Sequence, residues 1–315
     1  MDTTDHGSRP PGDPVVAGVD LGGTNVKGGL VDRSGRVTAR FTLATADFDD
    51  PRRLAAALAH EVGVRLGGRP LLGIGIGAPN GNYYRGTVEH PPNLPWPGVT
   101  PLAAWIAEAA GVPCLLTNDA NAAALGEGLF GAARGLRDYL FVTLGTGLGS
   151  GLVVNGALVY GHDGFAAELG HVVVERGGRL CGCGRRGCLE QYASATGLVR
   201  TYRELAPDAP ADLDAHHVFQ RAEAGEAAAE AAFERMAETL GLALANSVAY
   251  TEPAAIFLAG GVAAAGERLF EPVRRHFEAN LFTLYRGKTA ILPSGLPASD
   301  AAVLGAASLI WTAHA

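Results

Sequence analysis

The sequence predicts a duplicated α/β protein, and three observations carry that expectation. A strand, a glycine-rich turn and a second strand can be read in VVAGVDLGGTNVKGGLVD (15–32) and again in YLFVTLGTGLGSGLVVNGALV (139–159). Setting Leu21-Gly22 over Leu144-Gly145, an offset of 123 residues, brings Gly28 onto Gly151 and Val31 onto Val154. After each copy, short apolar runs alternate with segments of helical spacing, the pattern of an α/β architecture.

The elements follow in order. RVTARFTLAT (36–45) adds a third strand, and PRRLAAALAHEVGVRLGG (51–68) has helical spacing and ends at glycines. PLLGIGIGAP (70–79) reads as a buried strand running into a loop, and PPNLPWPG (91–98) as a Pro-rich loop. PLAAWIAEAAG is a short helix, VPCLLTND a strand, and ANAAALGEGLFGAA the start of a helix. In the second half, AEAGEAAAEAAFERMAETLGLALANSVAYTEP (222–253) is long and helical. AAIFLAGG is a strand ending in a glycine pair, with a helix expected from about 261, and ASDAAVLGAASLIWTAHA a final helix. The expected organisation is a tail at 1–14, a first lobe at 15–118 and a second at 119–298. The terminal helix, 299–315, returns to pack on the first lobe.

Composition narrows the function classes. The 315 residues are 48% hydrophobic and 18% charged, a globular balance. The apolar stretches are interrupted by glycines and fall short of a membrane span. MDTTDHGSRPPGDP lacks the apolar segment of a secretory signal and reads as the loose tail of a cytoplasmic protein. A net charge of −7 without a long Lys/Arg run argues against nucleic acid as a partner. It leaves room for a small anion, which glycine-rich backbone binds without cationic side chains.

Asp20 closes the first strand and Gly22, Gly23 and Thr24 follow it. Such a turn brings N–H groups close to an anion, and a hydroxyl and a carboxylate beside it suit phosphate and a Mg²⁺ shell. LGTGLGSG supplies a second turn with Thr146, and LAGGVA a third that could floor a nucleobase. Neither of the first two is a Walker loop or a dinucleotide fingerprint. Tight β-hairpin turns are the competing reading, but their matching places in a duplicated fold favour a nucleotide held between lobes.

Asn118 and Asp119 stand where a strand gives way to a helix. Helix capping is one reading. A general base at the carboxyl end of a sheet strand, taking the proton of an alcohol that attacks phosphorus, is the other. CGCGRRGC (181–188) holds three of the four cysteines. His171 with Cys181, Cys183 and Cys188 makes a set suited to structural Zn²⁺. A redox pair fits less well because the spacings are not CxxC, and a metal-free buried cluster is the third reading. Glu168 and Glu190 flank this set, and carboxylates accept charge-assisted hydrogen bonds from sugar hydroxyls.

From DLGGTNVK near 20 to LAGGVA near 260, the chain resembles the ROK family of sugar kinases within the actin-like ATPase and hexokinase superfamily. ELGH followed by CGCGRRGCLEQYAS is the most specific part. The resemblance implies a duplicated actin-like (ribonuclease H-like) fold of two lobes with a ligand cleft between them. It assigns Asp20, Gly22, Gly23 and Thr24 to a first phosphate motif, Gly145, Thr146 and Gly147 to a second, and Gly260 and Gly261 to adenosine. Asp119 matches the catalytic base, and Asn118, Glu168, His171 and Glu190 match sugar-binding positions. Asn80 and Gly81 sit where family members approach the sugar, with the Asn93 loop expected nearby. His171, Cys181, Cys183 and Cys188 match the family's zinc site. The first motif departs from the commoner DIGGTK, so that Lys27 either reaches phosphate or solvates a strand, the second being favoured. APNGN is richer in polar groups than the GPG-like turn of some members.

The expectation is an ATP-dependent hexose kinase using Mg²⁺ and structural Zn²⁺, with glucose as the sugar and a homodimer or homotetramer as the assembly. N-acetylglucosamine, N-acetylmannosamine, mannose and fructose are alternative acceptors, and polyphosphate an alternative donor. A sugar-responsive repressor is the rival from another class. About fourteen residues before the first strand are too few for a three-helix DNA reader.

Overall fold

A computed structural model describes residues 12–314 of the chain. The tail expected at 1–14 lies outside the described residues as far as position 11. The described chain divides into two compact units, residues 12–119 with 300–314, and residues 120–299.

The first unit is built on strands β1 (Val15–Leu21), β2 (Asn25–Val31) and β3 (Val37–Ala44). Helix α1 (Pro51–Gly63) follows, then β4 (Leu71–Ala78). Residues 81–100, to which the sequence assigns no strand, contain three minimal ones, β5 (Gly81–Asn82), β6 (Thr87–Glu89) and β7 (Val99–Thr100). They form a small sheet in the order β5-β6-β7. Helix α2 (Leu102–Ala110) and strand β8 (Cys114–Asn118) complete the run. The main sheet has the order β3-β2-β1-β4-β8, with antiparallel hairpins on one side and parallel pairing on the other. Helix α1 starts cleanly because Pro51 occupies the first turn and the Asp50 side chain accepts from the Arg52 N–H at 2.8 Å. Its buried Leu54, Leu58 and Val62, four apart, meet the buried faces of β1 and β4 in one core. The terminal helix, Ala301–Ala313, lies against β1 and β4 and is buried from Val303 through Trp311.

The second unit repeats the plan. Helix α3 (Asp119–Phe130) leads into β9 (Tyr139–Leu144), β10 (Leu148–Val154) and β11 (Ala157–Leu158). Helices α4 (Ala195–Leu205), α5 (Ala215–Glu223) and α6 (Ala227–Thr251) come next. Strand β12 (Ala255–Ala259), helix α7 (Glu267–Asn280) and strand β13 (Ala290–Pro293) end the unit, and the terminal helix is α8. The sheet order β11-β10-β9-β12-β13 reproduces the first with the same sequence of antiparallel and parallel pairs. The Ala-rich run at 222–253 is not one helix. A turn at 224–226 separates α5 from α6, and Asp214 caps α5 in a reciprocal box with His217. The unit's larger core joins the inward faces of β9, β12, α4, α6 and α7.

Candidate active site

The first unit gathers its polar groups at the carboxyl edge of its sheet. Asp20 pairs in parallel register with Gly77, and Ala78 with Asn118, so Asp20 and Asn118-Asp119 leave the same edge with β4 between them. That separation is about 10 Å across two strand spacings. Burial pushes the Asp20 carboxyl up to about 6, the Asp119 charge adds to the rise, and Lys27 opposes it. Lys27 is exposed on β2 directly opposite Asp20 in the antiparallel register. Asp119 is exposed at the head of α3, and Asn118 is half-buried.

The Gly22–Thr24 turn joins β1 to β2 as a hairpin. The Gly22 N–H donates to the Asn25 carbonyl at 3.1 Å, and the Thr45 hydroxyl donates to the Gly22 carbonyl at 2.7 Å. The turn is therefore the hairpin of the competing reading. The Asn93 backbone crosses directly over Gly23, with its carbonyl 2.7 Å from where a Cβ would stand. This puts the Pro-rich loop on the turn itself. Asn80 sits beyond β4 with φ +51° and donates its side-chain amide to the His90 carbonyl at 3.0 Å. Gly81 is buried against the Thr117 backbone of β8.

In the second unit the Gly145–Gly147 turn is braced from one side. The Ala195 N–H donates to the Gly145 carbonyl at 2.8 Å, and the Thr196 hydroxyl to the Thr146 carbonyl at 2.9 Å. The Leu148 N–H donates to Oε2 of Glu190 at 3.1 Å. That carboxylate lies so close to Gly147 that a Cβ there would collide with it. Gly260, with φ +92°, presses on the Leu144 backbone, and the Val262 N–H donates to the Leu144 carbonyl at 3.1 Å. Only glycine combines that conformation with that approach. Gly145, Thr146 and Gly261 line one pocket of about 450 Å³, whose apolar walls include Leu198, Phe219 and Val262. This volume is within the usual range for a small-molecule site.

His171, Cys181, Cys183 and Cys188 offer ligand atoms that all lie within 4.8 Å of one another. Cys183 Sγ is 3.6 Å from Cys188 Sγ, and Cys181 Sγ is 3.7 Å from Nδ1 of His171. A tetrahedron with metal–sulfur bonds of about 2.3 Å has edges of about 3.7 Å, so the donor set fits zinc. All four cysteines of the chain are free thiols, so the cluster contains no disulfide. Burial and the neighbouring thiols push Cys188 up to about 12, a cost to its thiolate that a cation would offset. With Nδ1 facing Cys181, His171 keeps Nε2 on the far side of its ring. Glu168 is exposed just before the short 3₁₀ turn Leu169–His171.

Three supporting residues escaped the sequence reading. Ser150 of β10 accepts from the Leu169 N–H at 3.1 Å and donates to the Ala167 carbonyl, which pins the turn carrying Glu168 and His171. Glu127 of α3, fully buried, accepts from the N–H groups of Ala132 and Gly295 at 2.7 Å each and from the Ser294 hydroxyl. Arg179 is buried behind the cysteine loop. A buried Arg or Glu is rare unless paired, but in a sequence each resembles any surface charge.

Residues 16–313 match the model of the ROK family. The chain is 38% identical over 308 residues to a glucokinase of Thermotoga maritima, covering 94% of this chain and 96% of that protein. Among solved structures it resembles a ROK family glucokinase from Streptomyces griseus in complex with glucose and AMPPNP. The TM-score is 0.79 and the identity 35%, covering 94% of this chain and 98% of that one. It is also similar to a ROK hexokinase from Thermus thermophilus, with a TM-score of 0.82 and 34% identity, covering 95% and 99% of the two chains. The fold is accordingly the duplicated α/β fold of the actin-like ATPases. With a family model spanning nearly its whole length and relatives this similar end to end, the chain belongs to the ROK family.

Proposed function

We propose that the protein transfers the γ-phosphoryl group of ATP to the 6-hydroxyl of a hexose, and that the hexose is glucose. The observation that carries this reading is the pair Asp119 and Asp20 on one sheet edge, in a chain 38% identical to a glucokinase over 94% of its length. Asp119, exposed at the head of α3, is the general base for the sugar hydroxyl. Asn118 and Gly81 border it, and Asn80 shapes the loop beside them. Glu168, His171 through Nε2, and Glu190 are the sugar-binding groups of the second unit. The Gly22–Thr24 and Gly145–Gly147 turns receive phosphates through backbone N–H groups, and the 450 Å³ pocket lined by Gly261 receives the nucleoside.

Asp20 fits Mg²⁺, because a carboxylate whose proton affinity is raised by burial and by the neighbouring Asp119 charge is relieved by a divalent cation. When bound, the ion neutralises phosphate charge in the donor. His171, Cys181, Cys183 and Cys188 would hold Zn²⁺ as a closed structural site, and the protein's own groups do the chemistry. Among the described residues no helix is long and apolar enough to cross a membrane. A cytoplasmic location accords with ATP as donor. Leu242, Tyr250, Phe282 and Leu284 are exposed on the second unit, and a homodimer or homotetramer is the assembly proposed.

The test is a coupled assay of ADP formation across glucose, mannose, fructose, N-acetylglucosamine and N-acetylmannosamine, with ATP and polyphosphate as separate donors. Turnover greatest with glucose and ATP is expected. No sugar-dependent ADP release with any acceptor would refute the reading.

A further inference from the structure

Arg179 joins several segments of the second unit's site. Its guanidinium uses all five donors. One Nη donates to the carbonyls of Gln191 at 2.6 Å and Gly197 at 3.3 Å. The other donates to the Thr201 hydroxyl at 2.8 Å and to Oε2 of Glu204 at 2.6 Å. Nε donates to Oε1 of Glu204 at 3.2 Å. The guanidinium also lies 4.5 Å from the centre of the Tyr192 ring, whose hydroxyl accepts from the Arg179 N–H at 2.9 Å. The Arg179 carbonyl accepts from the Gly187 N–H at 2.8 Å. One side chain thus fastens the cysteine loop to the Leu189–Gln191 turn and to the first three turns of α4.

Those are the segments that brace the donor turn. Glu190, in the 189–191 turn, accepts from Leu148, and Ala195 and Thr196, opening α4, bond to Gly145 and Thr146. No strand pairing holds the Gly145–Gly147 turn on that side, so its position depends on how firmly residues 190–197 are held from behind. Arg179 supplies that hold with a planar fork that an ammonium cannot reproduce.

We infer that Arg179 is a positioning residue that keeps the donor turn and the Glu190 wall in one frame, so that loosening it weakens nucleotide and sugar binding together. The inference rests on the kinase reading above. Arg179→Lys keeps the charge and loses the fork. Binding of a non-hydrolysable ATP analogue is measured by calorimetry on the full chain, and glucose KM and kcat by the coupled assay. Zinc content and circular dichroism serve as folding controls. The expected result is that Kd for the analogue and KM for glucose each rise about tenfold, with kcat falling less than either rises. Glu204→Gln, at a half-exposed partner, is expected to move both constants in the same direction by a smaller factor. An analogue Kd equal to wild type in Arg179→Lys overturns the inference, and the same equality in Glu204→Gln overturns it should the lysine variant not fold. A wild-type protein that binds no nucleotide refutes the kinase reading and takes the inference with it.

Discussion

Asp20→Asn should stabilise the ligand-free protein while abolishing its turnover. Burial and the Asp119 charge raise the Asp20 carboxyl from 3.8 to about 6 against the opposing pull of Lys27. The native state therefore holds this proton more tightly than the unfolded chain. Between these two values the native state retains a proton that the unfolded state has released, so stability falls as pH rises through the window. Above about 6 the whole penalty is present. A shift of about 2 units corresponds to about 3 kcal/mol, an upper figure for a half-buried group. Asparagine carries no charge and escapes it. The expected gain is about 2–3 kcal/mol at pH 8, falling to about half of that at pH 5, where the wild-type carboxyl is largely protonated in the native state. Urea unfolding of both proteins at the two pH values, without Mg²⁺ or nucleotide, gives the comparison. A variant less stable than wild type at pH 8, or a gain that does not change with pH, would refute the claim that a strained carboxylate is stored at this edge. Loss of activity in the more stable variant is what a site carrying charge for Mg²⁺ requires.

The other predictions concern separate parts of the molecule. Asp119→Asn is expected to lower kcat by about 10²-fold or more with little change in sugar KM, and near-normal turnover would remove Asp119 as the base. Cys183→Ser, or chelation of the wild-type protein, is expected to release the metal and raise glucose KM by about tenfold. Elemental analysis that finds no zinc in active protein would contradict the metal assignment. Glu127→Ala leaves two backbone N–H groups and the Ser294 hydroxyl without their buried acceptor, and should cost about 3 kcal/mol in urea unfolding. A cost below about 1 kcal/mol would show that solvent reaches these donors.

What the sequence disclosed and what it withheld have a common physical cause. Both halves announce themselves because strand, glycine turn and strand are local patterns, and the strands Asn25–Val31 and Leu148–Val154 have the same bounds at the 123 offset. The cluster of His171, Cys181, Cys183 and Cys188 was legible because its members fall within eighteen positions and are side chains of one recognisable chemistry. The strands at 81–82, 87–89 and 99–100 were not, because two or three residues are too few for an alternating pattern to emerge. Arg179 and Glu127 were invisible for a different reason. Their partners lie 12 to 25 and 5 to 168 residues away, and nothing near either in the chain distinguishes it from an exposed charge. The residues that carry chemistry had a local signature, and those that hold them in place did not.

The duplication also explains why the two halves need different support. At the 123 offset, Asp20 corresponds to Thr143, so the second glycine turn lacks the carboxylate that closes the first strand. In the first unit Asp20 stands at the end of a sheet strand and Asp119 directly after one, and a rigid ladder holds both strand ends: Asp20 paired with Gly77, Asn118 with Ala78. In the second unit the carboxylate beside the turn is Glu190, which belongs to no strand and reaches Leu148 from the segment after the cysteine loop. A side chain delivered by a loop is positioned only as well as the loop is. The cluster of His171 with Cys181, Cys183 and Cys188, and the fully bonded Arg179, do for this loop what the β-ladder does for Asp20. Weakening either prop in the second unit should thus perturb binding without touching the base, whereas no equivalent loop substitution in the first unit should displace Asp20.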